Sequence, residues 1–103
     1  MNKTHPLPIL DEQTAARLAE VFRTLSDPSR IRIISALAHG ETNVGTLAGA
    51  VGLSESSVSH HLRGMRQMRL VRARKLGRQV FYSLDDDHIA DLYQRGLDHV
   101  THG

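Results

Sequence analysis

Four side chains in the closing stretch SLDDDHIADLYQRGLDHVTHG, Ser83 to Gly103, have the chemistry to hold a divalent ion: Asp86, His88, His99 and His102. His99 and His102 are spaced i, i+3, which puts two imidazoles on one helix face within reach of a single ion. Asp86 and His88 flank the start of the same helical stretch and can converge likewise. The two pairs cannot meet inside one helix, because the eleven residues from His88 to His99 rise about 16 Å. They can meet between two copies of the helix running antiparallel across a two-fold axis. The crossing then falls near Gln94, beside Gly96. Each dimer would carry two equivalent sites, with Asp86 and His88 from one chain and His99 and His102 from the other.

Three imidazoles and a carboxylate suit tetrahedral zinc, with cobalt(II) as a surrogate. The chain has no cysteine, so it offers no thiolate to soft ions such as cadmium, lead or arsenite, and neither disulfides nor thiol catalysis. Taken singly, each residue has a plainer reading: Asp86 as a helix cap, Asp85 and Asp87 as favourable charges at a helix start, His102 as a cation at a helix end. Mutually consistent spacing is what favours the metal. Four protein ligands close the coordination sphere, and no spare carboxylate or serine–histidine arrangement stands out. The stretch therefore does not read as an enzyme centre, and no small organic substrate is expected.

A second constellation is electrostatic. Between Ser56 and Leu84 there is no acidic residue, while Arg63, Arg66, Arg69, Arg72, Arg74, Lys75 and Arg78 all fall there. A cation run without counter-charge points to a polyanion, and nucleic acid fits best. The net charge of +2 conceals this asymmetry. Within the run, residues 43–67 have the organisation of a helix-turn-helix: a short helix, a break at Gly52 with Leu53 as the apolar plug of the turn, and a second helix capped by Ser54 and running to about Met68. At about 100° per residue, Val58, Leu62 and Met65 fall on one side of that helix, and Ser56, Ser59, His60 and Arg63 on the other. Ser57 and His61 lie between. Short hydroxyls, an imidazole and a guanidinium suit base edges and phosphates in a major groove of double-stranded DNA. Serines away from a cap are poor helix formers, which favours a contact role.

These sites need elements to position them. The first ten residues, with Pro6 and Pro8, read as an extended arm, and residues 11–103 as one small domain. Ala15, Leu18, Ala19 and Phe22 recur with helical period, predicting an amphipathic helix over 11–25. Asp27-Pro28 opens a second helix that carries Ile31, Ile34 and Leu37 inward and ends near Gly40, with His39 at its end. A third spans roughly Val44 to Val51. After the fourth, Val71-Arg72-Ala73-Arg74 alternates, Gly77 supplies a turn, and Val80-Phe81-Tyr82-Ser83-Leu84 is rich in strand formers: a β-hairpin. This wing brings Arg72, Arg74, Lys75 and Arg78 to the phosphate backbone, adding salt-dependent affinity with little sequence information. The last helix carries Ile89, Leu92, Tyr93, Gly96, Leu97 and Val100 as one apolar stripe, suited to core or to a dimer seam. A chain of 103 residues buries a modest core, and a seam would add to it. The start, MNKTHPLPIL, is no signal peptide and no apolar run reaches membrane-spanning length, so the expected location is the cytoplasm.

The segments DPSRIRIISAL, LSESSVSHHLRGMRQMRLV and GRQVFYSLDDDHI together resemble the ArsR/SmtB family of winged-helix metal-sensing repressors, over roughly residues 11–102. The resemblance implies a mainly α (α+β) winged helix-turn-helix, five helices with a β-hairpin wing, forming a homodimer through the first and last helices. It implies an operator-bound repressor, on an imperfect inverted repeat, that metal releases to derepress efflux or sequestration genes. Asp86, His88, His99 and His102 match the C-terminal-helix zinc site of the SmtB and CzrA type. Relatives with a metal site near the recognition helix use a cysteine motif where this chain has Glu41-Thr42-Asn43-Val44, so that second site is not expected. Nickel-sensing relatives use the same four positions plus groups of the N-terminal arm, where His5 lies, so nickel stays open.

Overall fold

Each helix start is set by a short polar side chain that satisfies an otherwise unpaired N–H. Asp11 Oδ1 accepts from Thr14 N at 2.8 Å, Asp27 Oδ1 from Ser29 N at 2.7 Å, Asn43 Oδ1 from Thr46 N at 2.8 Å, and Ser54 Oγ from Ser57 N at 3.0 Å. They open α1 (Glu12–Leu25), α2 (Pro28–Leu37), α3 (Val44–Val51) and α4 (Glu55–Gln67) in the computed structural model, which describes residues 8–102. His5 lies outside the described residues. The chain continues through β2 (Val71–Leu76) and β3 (Gln79–Leu84) into α5 (Asp87–His102). Gly77, at φ 64°, turns the hairpin where a side chain would be strained. Among the described residues no helix is long and apolar enough to cross a membrane.

The sheet has three strands rather than the two expected. A short β1 (Thr42–Asn43) pairs antiparallel with β3, Thr42 opposite Tyr82, giving the order β1-β3-β2. Two residues carry no readable period, so pattern reasoning passes over such a strand. It ties the start of α3 to the wing, and Asn43 Nδ2 reinforces it by donating to Gln79 Oε1 at 2.9 Å.

The core is formed by Ile33, Ile34 and Leu37 of α2, Leu47, Ala48 and Val51 of α3, Val58, Leu62 and Met65 of α4, and Leu70 and Val71 entering the wing. The apolar side of α4 is the one expected, and Leu53 packs against this core from the turn. One position differs. Ile33 is fully buried, whereas Ile31, expected inward, is 40% exposed. The i, i+3, i+4 face of α2 runs Arg30, Ile33, Ile34, Leu37, and Ile31 projects toward α5 instead.

Helices α1 and α5 contain no buried residue. The apolar stripe of α1 leaves Leu18 43% and Phe22 50% exposed, and on α5 Val100 is 77% exposed. Leu25, Ile31, Ile34, Ile89, Leu92, Tyr93, Gly96, Leu97 and Val100 line one apolar groove of about 260 Å³ along α5. Val21 and Leu25 of α1 and Ile89 and Tyr93 of α5 pack against the core half-buried, and the rest of each apolar face stays exposed.

Candidate metal centre and nucleic-acid interface

α5 is one uninterrupted helix from Asp87 to His102, so its two candidate pairs stand at opposite ends, about 16 Å apart. At its start, Asp86 caps the helix and lies against His88. Oδ1 accepts from His88 N at 2.9 Å, capping the helix, while Oδ2 lies 3.3 Å from His88 Nδ1. Two ligands of a tetrahedral zinc stand about 3.4 Å apart, given bond lengths of about 2.0–2.1 Å. The Asp86–His88 pair already has that spacing, on side chains 47% and 90% exposed. At the other end His99 and His102 are both exposed, one turn apart. Among the described residues no three His, Asp or Glu side chains converge within a protomer. The chemistry of these four side chains, three imidazoles and a carboxylate, suits a divalent ion, with two of them at each end of α5.

The helix-turn-helix is α3, a turn and α4. Gly52, at φ 70°, ends α3 in the left-handed conformation, and Arg32 Nη1 donates to the carbonyl of Val51 at 2.7 Å. On α4, Ser56, His60 and Arg63 are exposed together, as the angular sorting expects. Ser59, sorted with them, is half-buried, as are Ser57 and His61. Ser54 is exposed with its hydroxyl engaged as the cap.

Arg72, Arg74, Lys75 and Arg78 are exposed on the wing, but they are not equally free. Arg74 Nη2 and Nε donate to Glu41 Oε1 and Oε2 at 2.7 and 3.0 Å. The cation run was expected to stand without counter-charge. The fold supplies one from 33 residues upstream, because β1 brings the end of the α2–β1 connection alongside the sheet. These hydrogen bonds hold the Glu41 carboxyl below its ordinary value, against a smaller desolvation effect, and push the Arg74 guanidinium up. Sequence reading gave no role to Arg30. Its Nε donates to His61 Nδ1 at 3.1 Å and its Nη1 to Thr24 O at 3.3 Å. The separation of 31 residues from His61 left no local signal of this contact.

Comparison with known proteins converges on one family. Residues 27–73 match the family profile described as bacterial regulatory protein, arsR family. A transcriptional repressor SmtB homolog of Synechocystis sp. is 48% identical over 92 residues, 89% of this chain and 70% of that protein. The HTH-type transcriptional regulator NmtR of Mycobacterium tuberculosis is 39% identical over 100 residues, 97% of this chain and 83% of its own. A solution structure of apo-NmtR superposes with a TM-score of 0.79 at 38% identity, over 100% of this chain and 87% of that one. A homodimeric winged helix-turn-helix DNA-binding domain from Mycobacterium bovis, described as a possible ArsR-family transcriptional regulator, superposes with a TM-score of 0.78 at 26% identity, over 94% and 96% of the two chains. These relatives are transcriptional regulators, not enzymes. With helix-turn-helix, wing and flanking amphipathic helices all in place, the chain belongs to the ArsR family of bacterial regulatory proteins, as an ArsR/SmtB winged helix-turn-helix regulator.

Proposed function

We propose that this metal-responsive ArsR/SmtB repressor is a zinc sensor. It acts as a homodimer that binds operator DNA when metal-free and leaves it when zinc occupies two intersubunit sites. Each site takes Asp86 and His88 from one protomer and His99 and His102 from its partner. The observation that carries this reading is α5 itself: a continuous helix with a candidate ligand pair at each end and, between them, an apolar stripe that the core covers only in part. An antiparallel crossing near Gln94 covers the stripe and brings opposite pairs together by one movement. The homodimeric solved neighbour and the exposed part of the apolar face of α1 support the same assembly, with α1 and α5 as its seam.

Operator contact is assigned to Ser54, Ser56, Ser57, Ser59, His60 and Arg63 on and before α4, and to Arg72, Arg74, Lys75 and Arg78 on the wing. Ser56, His60 and Arg63 stand in the positions best suited to base edges; the wing cations suit phosphates. A bound divalent ion would cross-link the two α5 helices and select a dimer geometry poorly matched to successive major grooves. Binding free energies are reciprocal, so operator DNA weakens metal binding by the same factor. Neutral imidazoles are required for ligation, so sensing fails at acidic pH.

The test is a titration of a labelled duplex from upstream of the chain's own gene, with zinc and then a chelator, on the wild type and on His99→Ala. The wild type should bind, release with zinc and rebind with chelator, while the variant binds and stays bound. Zinc-insensitive binding by the wild type would defeat the proposal. Cobalt(II) absorption distinguishes the metals: intense tetrahedral bands support zinc, and weak six-coordinate bands indicate nickel with ligands beyond these four.

A further inference from the structure

We infer that Arg30 is a positioning residue for the recognition helix, holding the His61 ring in one tautomer and tying α4 to the end of α1. The inference rests on the proposed DNA-reading role of α4 and adds a residue that neither the reading face nor the metal site contains.

Three observations carry it. First, a guanidinium can only donate. In the 3.1 Å contact from Arg30 Nε, His61 Nδ1 must therefore be the acceptor. The neutral ring then carries its hydrogen on Nε2, and that N–H is the only donor the ring offers to anything else. Second, the same guanidinium donates through Nη1 to the carbonyl of Thr24, in the last turn of α1, where carbonyls lack helical partners. Arg30 thus bridges α1 and α4 from its place on α2. Third, α4 is notched to receive it. A Cβ built at Gly64 would stand 3.0 Å from Arg30 Nη2 and 3.4 Å from Cζ and Nη1. Glycine is a poor helix former, and at this place in α4 it leaves room for the guanidinium to lie against the helix without shifting.

Ser57, His61 and Gly64 share one flank of α4, beside the exposed face of Ser56, His60 and Arg63. The buried Val58, Leu62 and Met65 seat the helix on the core, and a tie on the flank adds to what holds its roll, and with it the direction in which the reading side chains point. Its other end is α1, whose Leu18 and Phe22 face the proposed seam. Beside the packing of α1, α4 and α5 on α2, Arg30 thus gives the seam a direct polar link to the reading helix.

The experiment uses the full chain and the same upstream duplex. Operator affinity is measured for the wild type, Arg30→Gln, His61→Gln and His61→Leu. Circular dichroism, sedimentation and zinc stoichiometry serve as checks on fold, dimer and metal site. The glutamine at 61 offers an amide oxygen to Arg30 Nε, whereas leucine offers comparable bulk and no acceptor. Arg30→Gln and His61→Leu should bind about tenfold more weakly with unchanged zinc stoichiometry, and His61→Gln should stay within about twofold of the wild type. Independently, ¹⁵N imidazole shifts should report the Nε2–H tautomer at His61 in the wild type and a mixture in Arg30→Gln. Wild-type affinity in His61→Leu, or an Nδ1–H tautomer at His61, overturns the inference. A wild type that binds no duplex while keeping the Nε2–H tautomer overturns the DNA-reading function, and with it the role of the tie in recognition.

Discussion

The shared metal site can be tested by splitting its two halves between protomers. One variant carries Asp86→Asn and His88→Ala; asparagine is chosen at 86 because it can still cap α5. The other carries His99→Ala and His102→Ala. The magnitude follows from α5. Its two ligand pairs lie about 16 Å apart on a rigid helix, while ligands of one zinc must stand about 3.4 Å from one another. No single α5 can therefore close a site. In a dimer of either variant alone, each site keeps only two donors and holds zinc weakly. In a mixed dimer one site loses all four donors and the other keeps all four. Random exchange makes half of the dimers mixed, so tight stoichiometry should rise from near zero to roughly 0.25 ion per chain, against roughly one per chain in the wild type. Dialysis against zinc, or the intensity of cobalt(II) bands after mixing and exchange, measures this directly. Tight binding by either variant alone, or no gain on mixing, would refute the shared site.

Two other outcomes follow from the fold. Arg69 sits at φ 58° just past α4, where Arg69 N donates to Arg66 O and Leu70 N to Met65 O at 3.0 and 2.9 Å, a glycine-favouring helix ending. Arg69→Gly should raise unfolding free energy by about 0.5–1 kcal/mol in urea; a lower midpoint would contradict the left-handed geometry. At the wing, the Glu41 carboxyl is held below its ordinary value chiefly by hydrogen bonds from Arg74. A depressed carboxyl value means its contribution to stability is present above the unfolded value of about 4.3 and disappears as pH falls through the lower folded value. An NMR titration of Glu41 should show this depression, and Arg74→Gln should restore the ordinary value; an unchanged titration in that variant would show that Arg74 is not the cause.

Local chemistry made much of this protein legible without coordinates. Caps at Asp27 and Ser54, the glycine break at residue 52 and the apolar side of α4 are nearest-neighbour or single-turn effects. Each could be read from spacing, because a helix imposes its own period on its residues. The placing of the candidate ligand pairs at the two ends of α5 was legible for the same reason: i, i+3 spacing and the rise per residue are fixed by the helix, whatever surrounds it. Tertiary structure decided what depends on distant chain segments meeting. It buried Ile33 and turned Ile31 toward α5, recruited residues 42–43 as a third strand, brought Glu41 to Arg74, and set Arg30 between Thr24, His61 and Gly64. These contacts join positions far apart in the chain, Thr42 with Tyr82 and Ile31 with the residues of α5 among them, and no local period encodes them. The apolar stripes of α1 and α5 lie between the two cases. The sequence made them amphipathic, and only the folded protomer showed that its own core covers them in part and leaves Leu18, Phe22, Leu92 and Val100 exposed.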